Sequence, residues 1–297
     1  MKKRTVDVVL TNRTATFPTL ADEDIYSGLR KAWSFSVPGF RYVQNARGDW
    51  DGRIQLYKYG KCPAGLFRAT RKEVEEELGV RFRVFYKRKE LEWKKEKFWK
   101  TTHDESEYRF QNECVEAMVK ATRRGGGLIL NATGTGKTRI AGQYFSRMKG
   151  QGLMVVDQLD LMHQAKRDIE EVLGREVGWV GKSEFEPRRI TVGTVQSLHK
   201  HRKRADFRTW YRDTQAMIID EIHVQINRRN FGVVTAVDPV AVFGLTATLQ
   251  MRRAPVRLRA WSLAGPVLFE YPITKGMDEG VLSKGVVVRV LFQNEVD

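Results

Sequence analysis

The most informative segment of this sequence reads Ala132-Thr133-Gly134-Thr135-Gly136-Lys137-Thr138. An apolar run at residues 127–131 precedes it, and a helical pattern at residues 137–148 follows it. A glycine-rich turn between a strand and a helix lets backbone N–H groups converge on phosphate oxygens, and the helix N-terminus adds the positive end of its dipole. Asn131 replaces the first glycine of the general pattern, but Gly134 and Gly136 still permit the tight turn. The segment therefore predicts a phosphate-binding loop.

The residues of this loop have predicted roles in binding a nucleoside triphosphate with Mg²⁺. Lys137 is expected to reach the β- and γ-phosphates, and the Thr138 hydroxyl is expected to bind Mg²⁺. The predicted nucleotide-binding residues of the loop are Thr133, Gly134, Thr135, Gly136, Lys137 and Thr138.

A second segment, Met217-Ile218-Ile219-Asp220-Glu221-Ile222-His223, places two adjacent carboxylates after an apolar strand. Mg²⁺ prefers hard oxygen ligands and keeps several waters, which suits Asp220 as a metal ligand. Glu221 is expected to polarise the attacking water. Lys137, Asp220 and Glu221 are therefore the predicted catalytic residues, with Thr138 and Asp220 on the metal. His223 is expected to hydrogen-bond between motifs rather than to bind a metal.

From residue 107 onward, short apolar runs alternate with helical patterns, which is typical of buried parallel strands joined by crossover helices. Ligands of such sheets lie at the carboxyl ends of the strands, and both segments quoted above fall there. We predict an α/β fold with a central, mostly parallel sheet. The apolar runs are residues 127–131, 153–156, 190–193, 217–219 and 241–245.

Residues 1–86 predict a smaller α/β unit. A helix is predicted at 19–33, where Thr19 and Asp22 have the spacing of a capping-box variant. A second helix is predicted at 70–78, with a capping box of Thr70 and Glu73 at its start and Gly79 at its end. Strands are predicted at residues 5–10, 40–45, 53–59 and 81–86, with a turn at 47–52. Residues 87–106 predict a charged linker or linking helix whose charges face solvent.

Composition favours a polyanionic partner, although a basic surface alone also keeps a protein soluble. The chain has 297 residues, with 52 Lys and Arg against 36 Asp and Glu, for a net charge of +16. A basic surface gains by releasing the counterions of a nucleic acid. Cys62 and Cys114 lie far apart and fit neither a disulfide framework nor a zinc site. No apolar run approaches the ~18 residues of a membrane span, and we expect a cytoplasmic protein.

These segments resemble the DExH-box branch of the superfamily 2 helicases, and the resemblance implies ATP and Mg²⁺ as cofactors. Gln111, in Arg109-Phe110-Gln111, resembles the adenine-reading residue. Residues 156–164 and 194–198 resemble two motifs that grip the nucleic-acid backbone, although Asp157 and Gln158 replace the usual Pro-Thr. Leu245-Thr246-Ala247-Thr248 resembles the motif that couples the two sites. The residues so implied are Gln164, Thr194 and Gln196 for the backbone, and His223, Thr246 and Thr248 for coupling.

The amino-terminal part resembles the front domain of the UvsW-type phage recombination helicases. The resemblance rests on residues 34–42, on Gly48-Asp49-Trp50-Asp51-Gly52-Arg53-Ile54-Gln55-Leu56 and on Cys62-Pro63-Ala64-Gly65-Leu66. It implies a phage-encoded protein, in the host cytoplasm, that remodels branched or forked DNA such as Holliday junctions. The front domain would have a fold like that of double-stranded-RNA-binding domains and would engage DNA. Trp50 and Arg53, beside the predicted turn, are the candidate contacts.

Motors of this superfamily need a second RecA-like domain with finger arginines in a Gln-x-x-Gly-Arg-x-x-Arg motif, and the sequence has no such motif. We therefore expect that domain to be missing from this chain. The predicted units are a DNA-engaging domain at 1–86, the linker at 87–106, a first RecA-like domain at 107–280 and the start of a connection at 281–297. Two alternatives stay open: an RNA helicase, or a module that binds DNA and ATP without turnover.

Overall fold

The computed structural model describes residues 3–37, 51–98, 108–225, 232, 235–247 and 254–283. The predicted strand 40–45 lies outside these residues, as do Trp50, Thr248 and most of the predicted connection at 281–297. Within the described ranges, every helix is too short or too polar to span a bilayer.

The larger unit is built around a sheet to which the described residues contribute eight strands, in the order β10-β9-β11-β8-β12-β13-β7-β14. All neighbouring pairs are parallel except β9 with β10 at one edge. The predicted parallel sheet is therefore confirmed. Its strands are β7 (Gly126–Asn131), β8 (Gly152–Val156), β9 (Gly178–Gly181), β10 (Glu184–Glu186), β11 (Ile190–Thr194), β12 (Ala216–Ile219), β13 (Ala241–Thr246) and β14 (Val267–Tyr271).

Helices cover both faces of this sheet, so its central strands are buried on both sides. Aromatic and aliphatic side chains of α3 and α4, such as Phe110 and Tyr144, form the core on one face, and α6 and α7 close the other. The helices of this unit are α3 (Arg109–Thr122), α4 (Lys137–Arg147), α5 (Leu159–Leu173), α6 (Val195–His201), α7 (Ala205–Arg212), α8 (Ile222–Gln225), α9 (Ala254–Leu263) and α10 (Ile273–Asp278).

The front unit is a smaller α/β layer. Strands β1 (Arg4–Leu10), β2 (Thr14–Thr16), β5 (Lys61–Pro63) and β6 (Val80–Tyr86) form a sheet in the order β5-β2-β1-β6, and β3 (Ser34–Ser36) pairs with β4 (Arg53–Gln55). Two helices, α1 (Glu23–Ala32) and α2 (Ala64–Glu77), cover one face. Trp33, Tyr57 and Phe67 fill the core between them.

Two helix starts predicted for the front unit are wrong. Helix α1 begins after Asp22 alone, whose carboxylate accepts from the backbone of Asp24 and Ile25. Helix α2 begins six residues before Thr70, directly after Pro63. Thr70 is instead buried inside the helix, where its hydroxyl donates to the Leu66 carbonyl and accepts from the Trp33 indole. The predicted end of α2 is confirmed, since Gly79 has a φ of +62°.

The described part of the linker, residues 87–98, packs against the large unit instead of facing solvent throughout. Leu91 is buried in the large core, and Trp93 forms an antiparallel bridge with Met148. Lys94 donates from Nζ to the Ser146 carbonyl at 2.6 Å. The charged side chains are mostly exposed, as expected, and only Arg88 and Lys94 among them are half-buried. The apolar residues between them pack on the large core.

The two units share an interface between α2 and α9. Gly65 lets the helices approach, because a Cβ there would lie 2.3 Å from the Trp261 carbonyl oxygen. Arg68 donates to the carbonyls of Gly125, Gly126 and Ala264. Burial lowers the pKa of this guanidinium, and its carbonyl partners offset part of the cost of desolvating the charge.

Candidate functional site

The predicted chemical residues converge at one edge of the large sheet. Strands β7, β8, β11, β12 and β13 are parallel, so their carboxyl ends meet along that edge. The phosphate-binding loop follows β7, and the Asp220-Glu221 pair follows β12. Thr246 ends β13 between them, since β13 is hydrogen-bonded to both of those strands.

The loop has the conformation that a phosphate cradle requires. Gly134 and Gly136 have φ values of +85° and +75°, a region that side chains disfavour. Gln111 is buried against the loop, where its Nε2 donates to the Thr135 carbonyl at 3.0 Å. A Cβ on Gly136 would lie 2.5 Å from that Nε2. Gln111 thus braces the loop, and its predicted contact with adenine stays a prediction.

Lys137 and Glu221 form an ion pair across the site. Lys137 Nζ lies 2.8 Å from Glu221 Oε1, and the lysine side chain is only 12% exposed. Glu221 has a φ of +41°, an uncommon conformation for a residue other than glycine and one that recurs at functional sites. The pair links the base of the phosphate loop to the acidic segment, so that γ-phosphate oxygens and Glu221 would compete for the ammonium group.

Asp220 is half-buried and keeps one carboxylate oxygen available for a cation. Its Oδ1 is buried and accepts no hydrogen bond in the described residues. Desolvation raises the pKa of this carboxyl group. Nowhere in the described ranges do three or more His, Cys, Asp and Glu side chains gather to hold a metal ion. One carboxylate and the Thr138 hydroxyl fit Mg²⁺, which keeps waters and uses phosphate oxygens as further ligands.

A hydrogen-bonded relay joins the acidic segment to β13. Thr246 Oγ1 donates to Glu221 Oε2 at 3.2 Å, and His223 Nδ1 lies 2.9 Å from the same hydroxyl. Since the hydroxyl proton goes to Glu221, His223 is the donor in its own contact. The hydrogen bond predicted for His223 is thus present, while coupling by His223 and Thr246 stays a prediction.

A second link to the acidic segment was missed from the sequence. Gln225, buried at the end of α8, donates from Nε2 to Asp157 Oδ1 at 3.1 Å. Asp157 directly follows β8, at one of the two positions where the sequence departs from Pro-Thr. That departure was the available signal, but nothing local pointed to Gln225 as its partner.

The predicted backbone-gripping residues fall into two environments. Gln164 and Gln196 are exposed, as a contact with a strand requires. Thr194 is buried and caps α6, accepting from the Ser197 backbone and donating to its hydroxyl. The hydroxyl of Thr194 thus serves the helix, and its predicted contact with the nucleic-acid backbone stays a prediction. A cavity of about 290 Å³ is lined by Asp157, Leu159, Lys182, Thr194, Gln196, Ser197 and Lys200.

Arg53 follows the predicted turn directly, and its contact with DNA stays a prediction. It lies within β4, and its guanidinium donates to Ser34 Oγ from both Nε and Nη2, at 3.2 and 2.6 Å. The pairing partner of β4 is β3 rather than residues 40–45. The side chain therefore ties two strands of the front unit together.

The chain matches known proteins over most of its length. Residues 66–251 match the family described as type III restriction enzyme, res subunit. A DNA 3'-5' translocase, XPB2, of Sulfurisphaera tokodaii is 33% identical over 38% of this chain and 24% of its own length. The ATP-dependent DNA helicase uvsW of Enterobacteria phage T4 is 23% identical over 89% of this chain and 56% of its own. The chain thus spans about half or less of these relatives.

The same architecture is found in a solved structure. A crystal structure of the UvsW helicase from bacteriophage T4 superposes with a TM-score of 0.68 at 17% identity, over 89% of this chain and 99% of that one. At that identity the likeness shows the fold, and it includes both the front unit and the large RecA-like sheet.

Proposed function

The chain belongs to the type III restriction enzyme, res subunit, family within superfamily 2 helicases, and on that premise we propose that it is the ATP-binding part of a motor that remodels branched DNA. The family implies ATP use in general, and homology to DNA helicases and translocases supports DNA as the track. Recombination and repair in a phage, and fork or Holliday junction substrates, are the finer parts of the proposal.

The observation that carries the proposal is the site formed by Lys137, Asp220 and Glu221. An ammonium group, a carboxylate with one buried oxygen and a second carboxylate 2.8 Å from the ammonium lie at one sheet edge. Lys137 would leave Glu221 for the β- and γ-phosphates, where it offsets negative charge in the transition state. The freed Glu221 would then orient the attacking water and accept its proton.

Asp220 and Thr138 would hold Mg²⁺ in this site. The ion would supply positive charge that offsets negative charge developing on the phosphates. The chain's own residues supply the remaining geometry: the loop glycines bring backbone N–H groups to the phosphates, and Gln111 keeps the loop in place through Thr135.

The relay through Thr246 and the link through Asp157 support transmission from nucleotide to strand. Thr246 and His223 would respond when Glu221 changes partner, because Thr246 hydrogen-bonds to both of the others and His223 Nδ1 lies 3.3 Å from Glu221 Oε2. Asp157 connects the end of α8 to the cavity that Gln196 and Lys200 line. Contacts in that cavity with the phosphates of a strand would not depend on its base sequence. A motor needs this independence, because it moves along any sequence.

RNA as the track is the runner-up, since phosphate contacts do not distinguish the two nucleic acids. The decisive experiment is strand displacement from labelled forks by the complete protein, with ATP or without it. We expect a DNA fork to be remodelled in an ATP-dependent reaction and a matched RNA fork to be left intact. Remodelling of the RNA fork alone would replace the proposal, and remodelling of neither would refute it.

A further inference from the structure

A tight turn in the front unit presents a tyrosine to solvent. Lys58 and Lys61 exchange backbone hydrogen bonds of 2.9 and 3.0 Å, which leaves Tyr59 and Gly60 at the tip of a two-residue hairpin. Both tip residues have positive φ, +51° for Tyr59 and +68° for Gly60. The side chain of Tyr59 is 93% exposed.

This conformation is unfavourable for tyrosine. Two-residue turns with positive φ at both positions favour Asn-Gly, Asp-Gly or Gly-Gly, and a bulky residue there is an outlier. A ring that is almost fully exposed gains nothing from burial in the folded chain. Backbone strain combined with an exposed aromatic ring therefore points to a role outside the fold.

The base of the turn is fixed to the core. Tyr57, two residues before the tip, is fully buried and lies with its ring 5.4 Å from that of Phe17. The Phe17 backbone N–H donates to the Gly60 carbonyl at 2.8 Å. Lys61 then begins β5, which pairs with β2. Because these contacts fix the backbone of the turn, Tyr59 would lose little backbone freedom on binding a ligand.

Two lysines flank the tip of the turn. Lys58 and Lys61 are both exposed, and neither forms an ion pair with any residue in the described ranges. Two cations beside an exposed ring match a nucleic-acid strand, whose phosphates flank a planar base. A fully paired duplex offers its phosphates but keeps its bases stacked inside.

We propose that the turn of residues 58–61 binds an unpaired nucleotide at a DNA branch point, with Tyr59 stacked on the base and Lys58 and Lys61 on the adjoining phosphates. The inference rests on the proposed function, because branched DNA is the substrate that supplies such a nucleotide. It adds a contact of the front unit to the one predicted for Arg53, whose guanidinium also donates to Ser34.

The first test is Tyr59→Gly in the chain of 297 residues. Glycine adopts positive φ without strain, so the variant keeps or raises the unfolding midpoint while it loses the ring. Stacking of one base on an aromatic ring is typically worth 1–3 kcal/mol, so fork affinity should fall roughly 5- to 150-fold. Affinity for a fully paired duplex should not change. Tyr59→Trp should retain fork binding.

Tyr86→Ala is the matched control. Tyr86 is 66% exposed on the same unit but lies in β6, without positive φ, and its loss should leave fork affinity unchanged. Lys58→Gln and Lys61→Gln should each reduce the slope of log affinity against log salt by about one.

A stacking readout separates this contact from general attraction. With 2-aminopurine as the unpaired base at the branch, wild-type protein should quench its fluorescence, and Tyr59→Gly should not. Equal fork affinity for wild type and Tyr59→Gly, or equal losses on fork and duplex, would overturn the inference. A wild-type chain with no affinity for either DNA would instead refute the proposed function.

Discussion

Lys137 is the residue whose removal separates nucleotide chemistry from DNA binding. In the complete protein, Lys137→Ala should lower ATP turnover by about 10²–10³, the usual worth of a group that stabilises transition-state charge. Fork affinity should be retained, because the cavity around Gln196 and Lys200 lies beyond other strands of the sheet. Steady-state ATP hydrolysis and fork titration measure the two effects.

Arg139→Ala is the control for Lys137→Ala. Arg139 lies one helical half-turn further along α4 and pairs with Glu171 at the surface. Its loss removes the same charge without touching the loop, so turnover should stay near the wild-type value. Retention of more than about a tenth of wild-type turnover by Lys137→Ala would contradict the phosphate role, given the magnitude expected.

Glu221→Gln should trap ATP. The amide loses the carboxylate that accepts the water's proton, which is typically worth 10²–10⁴ in rate. It also weakens the ion pair that competes with phosphate for Lys137, so affinity for Mg-ATP should rise rather than fall. Single-turnover hydrolysis and titration with a fluorescent ATP analogue test both parts. Collapse of affinity together with turnover would make Glu221 a metal ligand.

At the scale of elements, the contact between α2 and α9 depends on Gly65. Gly65→Ala places a methyl group 2.3 Å from the Trp261 carbonyl oxygen and 2.9 Å from the Gly265 nitrogen. Both are backbone atoms, so the helices must separate, at a typical cost of 1–3 kcal/mol for overpacking. The free energy of unfolding should fall by that amount in chemical denaturation.

Gly28→Ala provides a comparison on a neighbouring helix. Its methyl group would meet Leu78 Cδ2 at 2.4 Å, the end of a flexible side chain that is able to move. Alanine also favours a helix over glycine by roughly 0.5–1 kcal/mol. The variant should therefore be neutral or stabilising. If it lowered the free energy of unfolding as much as Gly65→Ala does, the close approach of α2 and α9 would not explain the loss at Gly65.

The elements that the sequence predicted best are those whose signals are local. The apolar run before Gly134 and the one before Asp220 each gave a strand and the chemistry at its end. The start of α2 could not be predicted, because Pro63-Ala64-Gly65 carries no polar cap and the helix is held by its contact with α9. Tyr59 was read as strand, since Tyr-Gly is not a usual pair for a turn with positive φ.

At the scale of the whole molecule, the large unit contributes a helix to the core of the front unit. Leu258 and Trp261 of α9 pack into the front-unit cluster, and Arg68 binds carbonyls beside β7. Deletion of residues 1–86 would expose this surface, so the remaining chain should unfold at a lower temperature than the intact one. An unchanged midpoint in a thermal melt would mean that the interface adds no stability.

The sequence predicted two α/β units in their correct order, but it did not predict how they meet. Arg68 donates to carbonyls up to 196 residues away in the sequence. A local sequence pattern cannot predict such a contact. The same holds for Asp157 and Gln225, which are 68 residues apart. Selectivity for branches is for that reason better tested by point substitutions at Tyr59 than by deletion of the front unit.

The most direct test of an ATP-driven DNA motor is ATP hydrolysis by the complete protein, measured with no nucleic acid, with forked DNA, and with duplex RNA of equal length. We predict strong stimulation by the fork, little by RNA, and loss of the stimulated rate in Lys137→Ala. A rate that is the same with and without the fork, or one that survives Lys137→Ala, would contradict the account.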